Sequence, residues 1–339
     1  MSRSKALFYY VLTRLLLAPL MLWTIVTFVF LLMRATPGDP VDVALGAKAP
    51  EAAREAMRER LGLNAPLIIQ YFRYLGDLLQ FDLGVSLDDR PVIQIIQAHF
   101  PATVELTILS MAISACIGVI VGSLAASKPN TPVDVGGRLF GIITYAIPMY
   151  WFGMLTQLLF AVNLRWFPLG SRYPLRAEPP DGPTGLYLLD SLLHGNLSQF
   201  GTSLYYLVLP SFTLGLLLSG IFERIVRVNL KQTLRSDYVE AARARGIPEF
   251  RVVMVHALKN ALIPLITVLG LTVASLLGGA VITEVTFDWP GLGRRLYEAI
   301  SARDYAVVQG TIVFFGAIVA IASILIDIIN AWIDPRIRY

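Results

Sequence analysis

The 339-residue chain is 55% hydrophobic and 15% charged, with a mean hydropathy of +0.63. Ordinary soluble domains carry roughly 25% charged residues, so a water-covered globule is excluded and the bilayer is the natural solvent. The formal net charge of +4 is a small excess. Its basic cluster lies between apolar runs and not on an aromatic-studded surface, which excludes nucleic acid as a partner. Cys116 is the only cysteine, so neither an intrachain disulfide nor a cysteine metal site is available. Its apolar neighbours predict a buried, inert thiol.

Crossing about 30 Å of hydrocarbon takes about 20 apolar helical residues. Six stretches free of Asp, Glu, Lys and Arg meet that length: Leu15–Met33, Leu106–Ser127, Leu139–Leu164, Ser191–Phe222, Asn260–Thr283 and Tyr305–Ile326. The first is longer than a signal-peptide core and no small-x-small cleavage site follows it, so it reads as an uncleaved span. Pro148 is expected to kink the third. The basic residues of Glu223–Lys259, with Arg3, Lys5 and Arg14 at one end and Arg336 and Arg338 at the other, place both termini in the cytoplasm. The expectation is an all-α integral membrane protein with six transmembrane helices.

Three parts follow in chain order. Residues 1–34 form an N-terminal segment with the first span, residues 35–102 an extracytoplasmic domain, and residues 103–339 a core with five spans. In the outer domain Glu51–Leu61 is strongly helix-forming, with Ala52, Ala56 and Leu61 expected on one face. The Pro/Gly-rich stretch Tyr173–Gly185 reads as irregular surface chain.

The most informative segment lies within residues 235–264. Asp237 to Arg245 favours helix, and Gly246 offers a position where φ > 0 carries no steric cost. Pro248 suits the start of a second helix, and Pro264 opens or kinks the fifth span. Helix, sharp turn, helix at the inner membrane face is a shape suited to docking. A basic amphipathic loop held to anionic lipid is the plainer alternative.

Glu240-Ala241-Ala242, three residues and Gly246, then an apolar-rich stretch to Pro264, resembles the EAA loop of ABC-importer permeases. Four further segments resemble the permease subunits of dipeptide, oligopeptide and nickel importers, in that family's order. They are Pro37–Pro40, Phe81–Ser86, Trp289–Gly293 with Arg303-Asp304-Tyr305, and Asp334–Arg338. The resemblance covers essentially the whole chain. It implies the type I ABC importer transmembrane fold in a bacterial inner membrane, with this chain forming half of a path for di- or oligopeptides. Nickel complexes or glutathione are alternative cargoes. It also implies as partners a second homologous permease, two ATPase subunits that bind ATP and Mg, an extracytoplasmic solute-binding protein and membrane lipid. Glu240, Ala241, Ala242, Arg243 and Gly246 would then couple the chain to an ATPase cleft, with the two alanines permitting close approach.

The chain carries no G-x-x-x-x-G-K-[ST] phosphate loop, and no lysine follows a glycine. It is therefore expected to be a transport subunit without its own ATPase site, catalytic residues, cofactor or metal. His99, His194 and His256 have no ligand spacing. Asp327 is the one ionisable residue inside a predicted span, read as structural. Gly278, Gly279 and Glu284 are candidates for the path or a gate, with Glu284 at an outer vestibule and Glu105 at another outer span end. A stand-alone channel or secondary carrier is the competing class. It calls for buried charges or an inverted repeat, and neither is evident.

Overall fold

The computed structural model describes residues 3–36, 38–46 and 49–333. Among these the chain is built from helices, with one isolated antiparallel bridge, Val85 to Pro91. The closing Asp334–Arg338 segment and Pro37 lie outside the described residues.

Helix α1 runs from Arg3 to Ala35, and the short helices α2 (Pro40–Leu45), α3 (Glu51–Arg60) and α4 (Leu67–Leu79) follow it. Helix α5 spans Val92–Ser127 and passes without interruption through residue 102, the boundary drawn for the outer domain. Four helices are each long and apolar enough to cross a membrane: Leu16–Ala35 in α1, α5, α9 (Leu197–Thr233) and Tyr305–Ile329 in the last helix. Leu16, Leu20, Phe28 and Leu31 stand more than half exposed. Apolar surface left open on helices of this length is what a lipid solvent accepts.

Between α5 and α9 lie α6 (Pro132–Ala146) and α7 (Met149–Thr156), which continues as a π-helical run, Gln157–Asn163. The axis bends by 100° between them. Ile147 is driven to ψ 126°, because the ring of Pro148 excludes the preceding residue from helical geometry. The kink expected at Pro148 is a complete break. Each arm holds 15 residues, about 22 Å at 1.5 Å per residue, too short to span alone. A second broken pair, Glu249–Ala261 with Ile263–Leu277, bends by 52°. Among the described residues there are thus four unbroken helices long and apolar enough to cross, or up to six spans if each bent pair counts as one.

Helix α8 covers Tyr187–Leu193 and packs against α9. After α9 come α10 (Asp237–Ala244), α11 (Glu249–Arg251) with a π-helical continuation Val252–Ala257, and α12 (Leu258–Ala261). Then follow α13 (Ile263–Leu277), α14 (Val281–Thr286), α15 (Leu292–Ala302) and α16 (Tyr305–Ile333). The centre of the fold is the α5–α9 pair. A Cβ on Gly118 would come within 2.5 Å of Phe222 Cβ, and one on Gly122 within 2.7 Å of the Glu223 carbonyl oxygen. Backbone contact this close is how helices associate where lipid removes the hydrophobic drive.

Helix α3 forms as expected and buries no residue, with Ala52 and Ala56 exposed. Ion pairs hold it in place: Arg54 to Asp42, Arg58 to Asp39 at 2.6 Å and Arg60 to Asp89. Two local expectations need correction. Cys116 is exposed on α5, not buried, because its apolar neighbours face outward as well. The second concerns buried charge. Asp327 is half-buried in α16, but it is not the only ionisable residue within a span. Helix α9 continues eleven residues past Phe222 and so encloses Glu223, which is fully buried and paired with Arg227 at 2.7 Å. The uncharged run Ser191–Phe222 ends one residue short of it.

Candidate coupling site

Helix α10 opens after Ser236 with Asp237 and Glu240 in its first turn, where carboxylates complement the positive end of the helix dipole. It closes in a Schellman turn. The Gly246 N–H donates to the Arg243 carbonyl at 2.9 Å and the Ile247 N–H to the Ala242 carbonyl at 3.4 Å. Gly246 sits at φ +75°, and an added Cβ there would meet nothing within 4 Å. Backbone geometry, not space, demands the glycine. Pro248 precedes α11 as its cap residue, as its missing N–H suggests.

The two arms fold onto one another and onto α9. Val239, Ala242, Val252, Val253, Ala257, Leu258 and Ala261 form a single buried cluster with Phe222, Val226 and Leu230 of α9. Asn260 Nδ2 donates to Tyr238 Oη at 2.8 Å. Arg243 reaches across the turn to grip both oxygens of Glu249, at 3.0 and 2.7 Å, and this hydrogen bonding pushes its guanidinium up from the usual value. The pair is exposed, so its worth is geometric more than energetic. Pro264, lacking an N–H, sits in the first turn of α13 just beyond the 52° bend.

The site residues therefore divide. Glu240, Ala241 and Gly246 are exposed. Ala242 is 6% exposed and packs inward, which leaves Ala241 as the open member of the pair. Arg243 is occupied with Glu249. The sequence reading missed Phe250, 79% exposed beside the turn, with Tyr238 and Val255 also uncovered. Its signal was an aromatic in a charged, helix-forming stretch.

At the far end of the bundle Glu284 is fully buried, so it faces no open vestibule. Thr103 Oγ1 donates to its Oε1 at 2.6 Å and the Arg294 N–H to its Oε2 at 2.7 Å, while the Leu292 N–H donates to Thr103 Oγ1 at 2.9 Å. The carboxylate satisfies the open N-terminus of α15. A Cβ on Gly291 would lie 2.3 Å from it, which explains a glycine in Trp289–Gly293. Trp289 Nε1 completes the join by donating to the Ala102 carbonyl at 2.9 Å. Gly278 and Gly279 form the turn between α13 and α14, Gly279 at φ +118° and against Phe315.

Two further links went unread in the sequence. Arg172 donates twice to Glu105 Oε2, at 3.0 and 2.6 Å, with both side chains buried, and its guanidinium lies 3.6 Å from the Tyr187 ring centre. Glu105 Oε1 also accepts the Leu188 N–H at 2.8 Å. Asp304 caps α16 through Val307 N–H and accepts Leu87 N–H at 3.0 Å. Burial pushes its carboxyl up, with those N–H groups pulling the other way. The Phe81–Ser86 and Arg303–Tyr305 segments, far apart in sequence, meet here.

Residues 118–339 match the family described as binding-protein-dependent transport system inner membrane component, and residues 7–107 match its N-terminal counterpart. The chain belongs to this family of permeases. It is 39% identical over 327 residues to the dipeptide transport system permease protein DppB of Alkalihalophilus pseudofirmus, covering 96% of this chain and 97% of that protein. It is 41% identical to the di/tripeptide transport system permease protein DppB of Pseudomonas aeruginosa, covering 91% and 93%. The oligopeptide transport system permease protein AppB of Bacillus subtilis is 35% identical, covering 97% and 99%. The permease is a multi-pass protein of the inner membrane.

Proposed function

We propose that the permease is one transmembrane subunit of an ATP-driven importer and forms half of a path for di- or oligopeptides. It has six crossings and both termini in the cytoplasm. The peptide cargo is supported by relatives whose names specify dipeptide, di/tripeptide and oligopeptide transport. The partners are a second homologous permease, two ATPase subunits that carry the ATP and Mg sites, and an extracytoplasmic solute-binding protein. This chain itself is not an enzyme.

The observation that carries the reading is the two-sided build of the 237–264 elbow. One side is welded to α9 through the cluster around Val239 and Val252. The other presents Tyr238, Glu240, Ala241, Gly246 and Phe250 to the outside. A rigid body with an uncovered face transmits force from a partner into the spans. Arg243, bound to Glu249, keeps the two arms at a fixed angle. Gly278 and Gly279, at the turn between α13 and α14, are the candidates for the path or a gate.

The test is to tag the chain in its native membrane, solubilise it gently and identify what co-purifies, then repeat with Phe250→Asp. Recovery of ATPase subunits with the unaltered chain and their loss with the variant supports the elbow as the coupling face. Recovery of the intact chain alone overturns the importer reading in favour of a stand-alone channel or carrier.

A further inference from the structure

Helix α4, Leu67–Leu79, is apolar along most of its length and yet buries no residue. Its 13 residues reach about 20 Å, too short to cross the bilayer. An apolar helix of that length belongs either to a core or to a membrane interface, and α4 is not core. Its side chains sort into three stripes. Gln70, Tyr71 and Tyr74 make its contacts with α1. Arg73 and Asp77, with Gln80 at the cap, form an exposed polar side. Ile68, Phe72, Leu75 and Leu79 fall at i, i+4, i+7 and i+11 and form an apolar side. Of these, Ile68, Phe72 and Leu79 are each 60% or more exposed.

The contacts with α1 fix how deep the helix lies. Tyr71 Oη and Thr27 Oγ1 share a hydrogen bond of 2.6 Å, and Arg34 Nε donates to Gln70 Oε1 at 2.9 Å. The rings of Tyr71 and Tyr74 lie 5.2 and 5.9 Å from that of Phe30. Thr27 lies eight residues before Ala35, the end of the apolar span Leu16–Ala35, or about 12 Å at 1.5 Å per residue. Helix α4 is therefore level with the last turns of that span and not beyond them. An interfacial helix buries its apolar face roughly 5–10 Å into the boundary between headgroups and acyl chains, which is this depth. The Phe72 ring sits 5.7 Å from that of Tyr71. The row Phe30, Tyr71, Phe72 thus carries the apolar surface of α1, open at Phe28, Leu31 and Leu32, onto α4. The Tyr71 and Thr27 hydroxyls answer one another, as a lipid setting requires.

We propose that α4 is an interfacial membrane helix, its Ile68, Phe72 and Leu79 stripe seated among the acyl chains of the leaflet at the Ala35 end of α1. Part of the segment expected as an extracytoplasmic domain then lies in the bilayer. A second protein could also cover such a stripe, but its depth and its continuity with the open surface of α1 favour lipid. The polar side, Arg73 and Asp77, is left to meet water. This placement holds whatever the cargo.

The test is nitroxide labelling of the full-length chain, purified with whatever accompanies it and held in nanodiscs of phosphatidylethanolamine and phosphatidylglycerol. Cys116→Ser supplies the background. Ile68→Cys, Phe72→Cys and Asp77→Cys are labelled singly, with Leu31→Cys on α1 as the lipid-facing reference. All these positions are exposed, so the substitutions leave the packing intact. Collisions of the label with molecular oxygen report lipid, and collisions with a water-soluble nickel chelate report solvent. The expected oxygen-to-chelate ratio at positions 68 and 72 matches that at 31 and exceeds that at 77 severalfold. Labels at 68 and 72 that meet the chelate as freely as the one at 77 put the stripe in water and overturn the proposal. Labels there shielded from both probes put the stripe under a partner protein and overturn the lipid assignment.

Discussion

Thr103 and Glu284, 181 positions apart, meet through a 2.6 Å hydrogen bond inside the far end of the bundle. Thr103 also accepts the Leu292 N–H, so a single hydroxyl ties α5 to both α14 and α15. Replacing Thr103 with Val keeps the shape and removes both bonds. The expected cost is about 1–3 kcal/mol, the penalty for buried groups left unpaired. The thermal midpoint of the purified protein measures it, and an unchanged midpoint removes the latch from the account.

Gly291 and Gly246 separate two reasons for a glycine. Alanine at Gly291 drives a Cβ to 2.3 Å from the buried Glu284 carboxylate, forcing helix α15 off its cap. Alanine at Gly246 meets open space and bears only the left-handed backbone, roughly 1–2 kcal/mol. Gly291→Ala is therefore the more destabilising. Gly246→Arg is expected to fold much as Gly246→Ala does and yet abolish uptake, because the added side chain projects from the coupling face. Paired stability and uptake measurements check both halves, and full uptake by Gly246→Arg removes this residue from the coupling site.

The buried Arg172–Glu105 pair predicts a non-additive result. Arg172→Leu leaves Glu105 buried without its counter-charge, an expected loss of about 3–5 kcal/mol. Adding Glu105→Gln removes that charge while its amide oxygen still accepts the Leu188 N–H. The double variant should thus recover part of the loss. Unfolding of the two singles and the double forms the cycle, and simple additivity would contradict direct coupling.

Asp39 clasps α2 to α3 by accepting from Arg58 at 2.6 Å and from the Val41 N–H at 2.9 Å. Burial works to raise its carboxyl, but these bonds outweigh it and hold the group below the usual carboxylate range. A folded value below the unfolded one means the contribution is complete above about pH 3.9 and is lost as pH falls through the depressed value. Peptic nicking within Glu51–Arg60 should stay slow in mild acid and accelerate only in stronger acid. Asp39→Asn should be nicked at a rate that lacks this step, and the same step in both proteins would assign it elsewhere.

The bilayer as solvent, four of the six expected spans and the turn at Gly246 were legible in the sequence because each rests on local rules. Runs of apolar residues set helix length against membrane thickness, and a positive φ selects glycine wherever it occurs. Tertiary structure alone decided which of Ala241 and Ala242 faces out, since packing of Val239 and Ala242 on α9 sets the rotation of α10. It alone turned Glu284 from a water-facing candidate into a buried cap, and it alone enclosed Glu223, because helices continue past the charges that end an apolar run. The pairings of Arg172 with Glu105 and of Thr103 with Glu284 join residues far apart in the chain. No local pattern encodes such meetings; they arise only when every helix has found its neighbours.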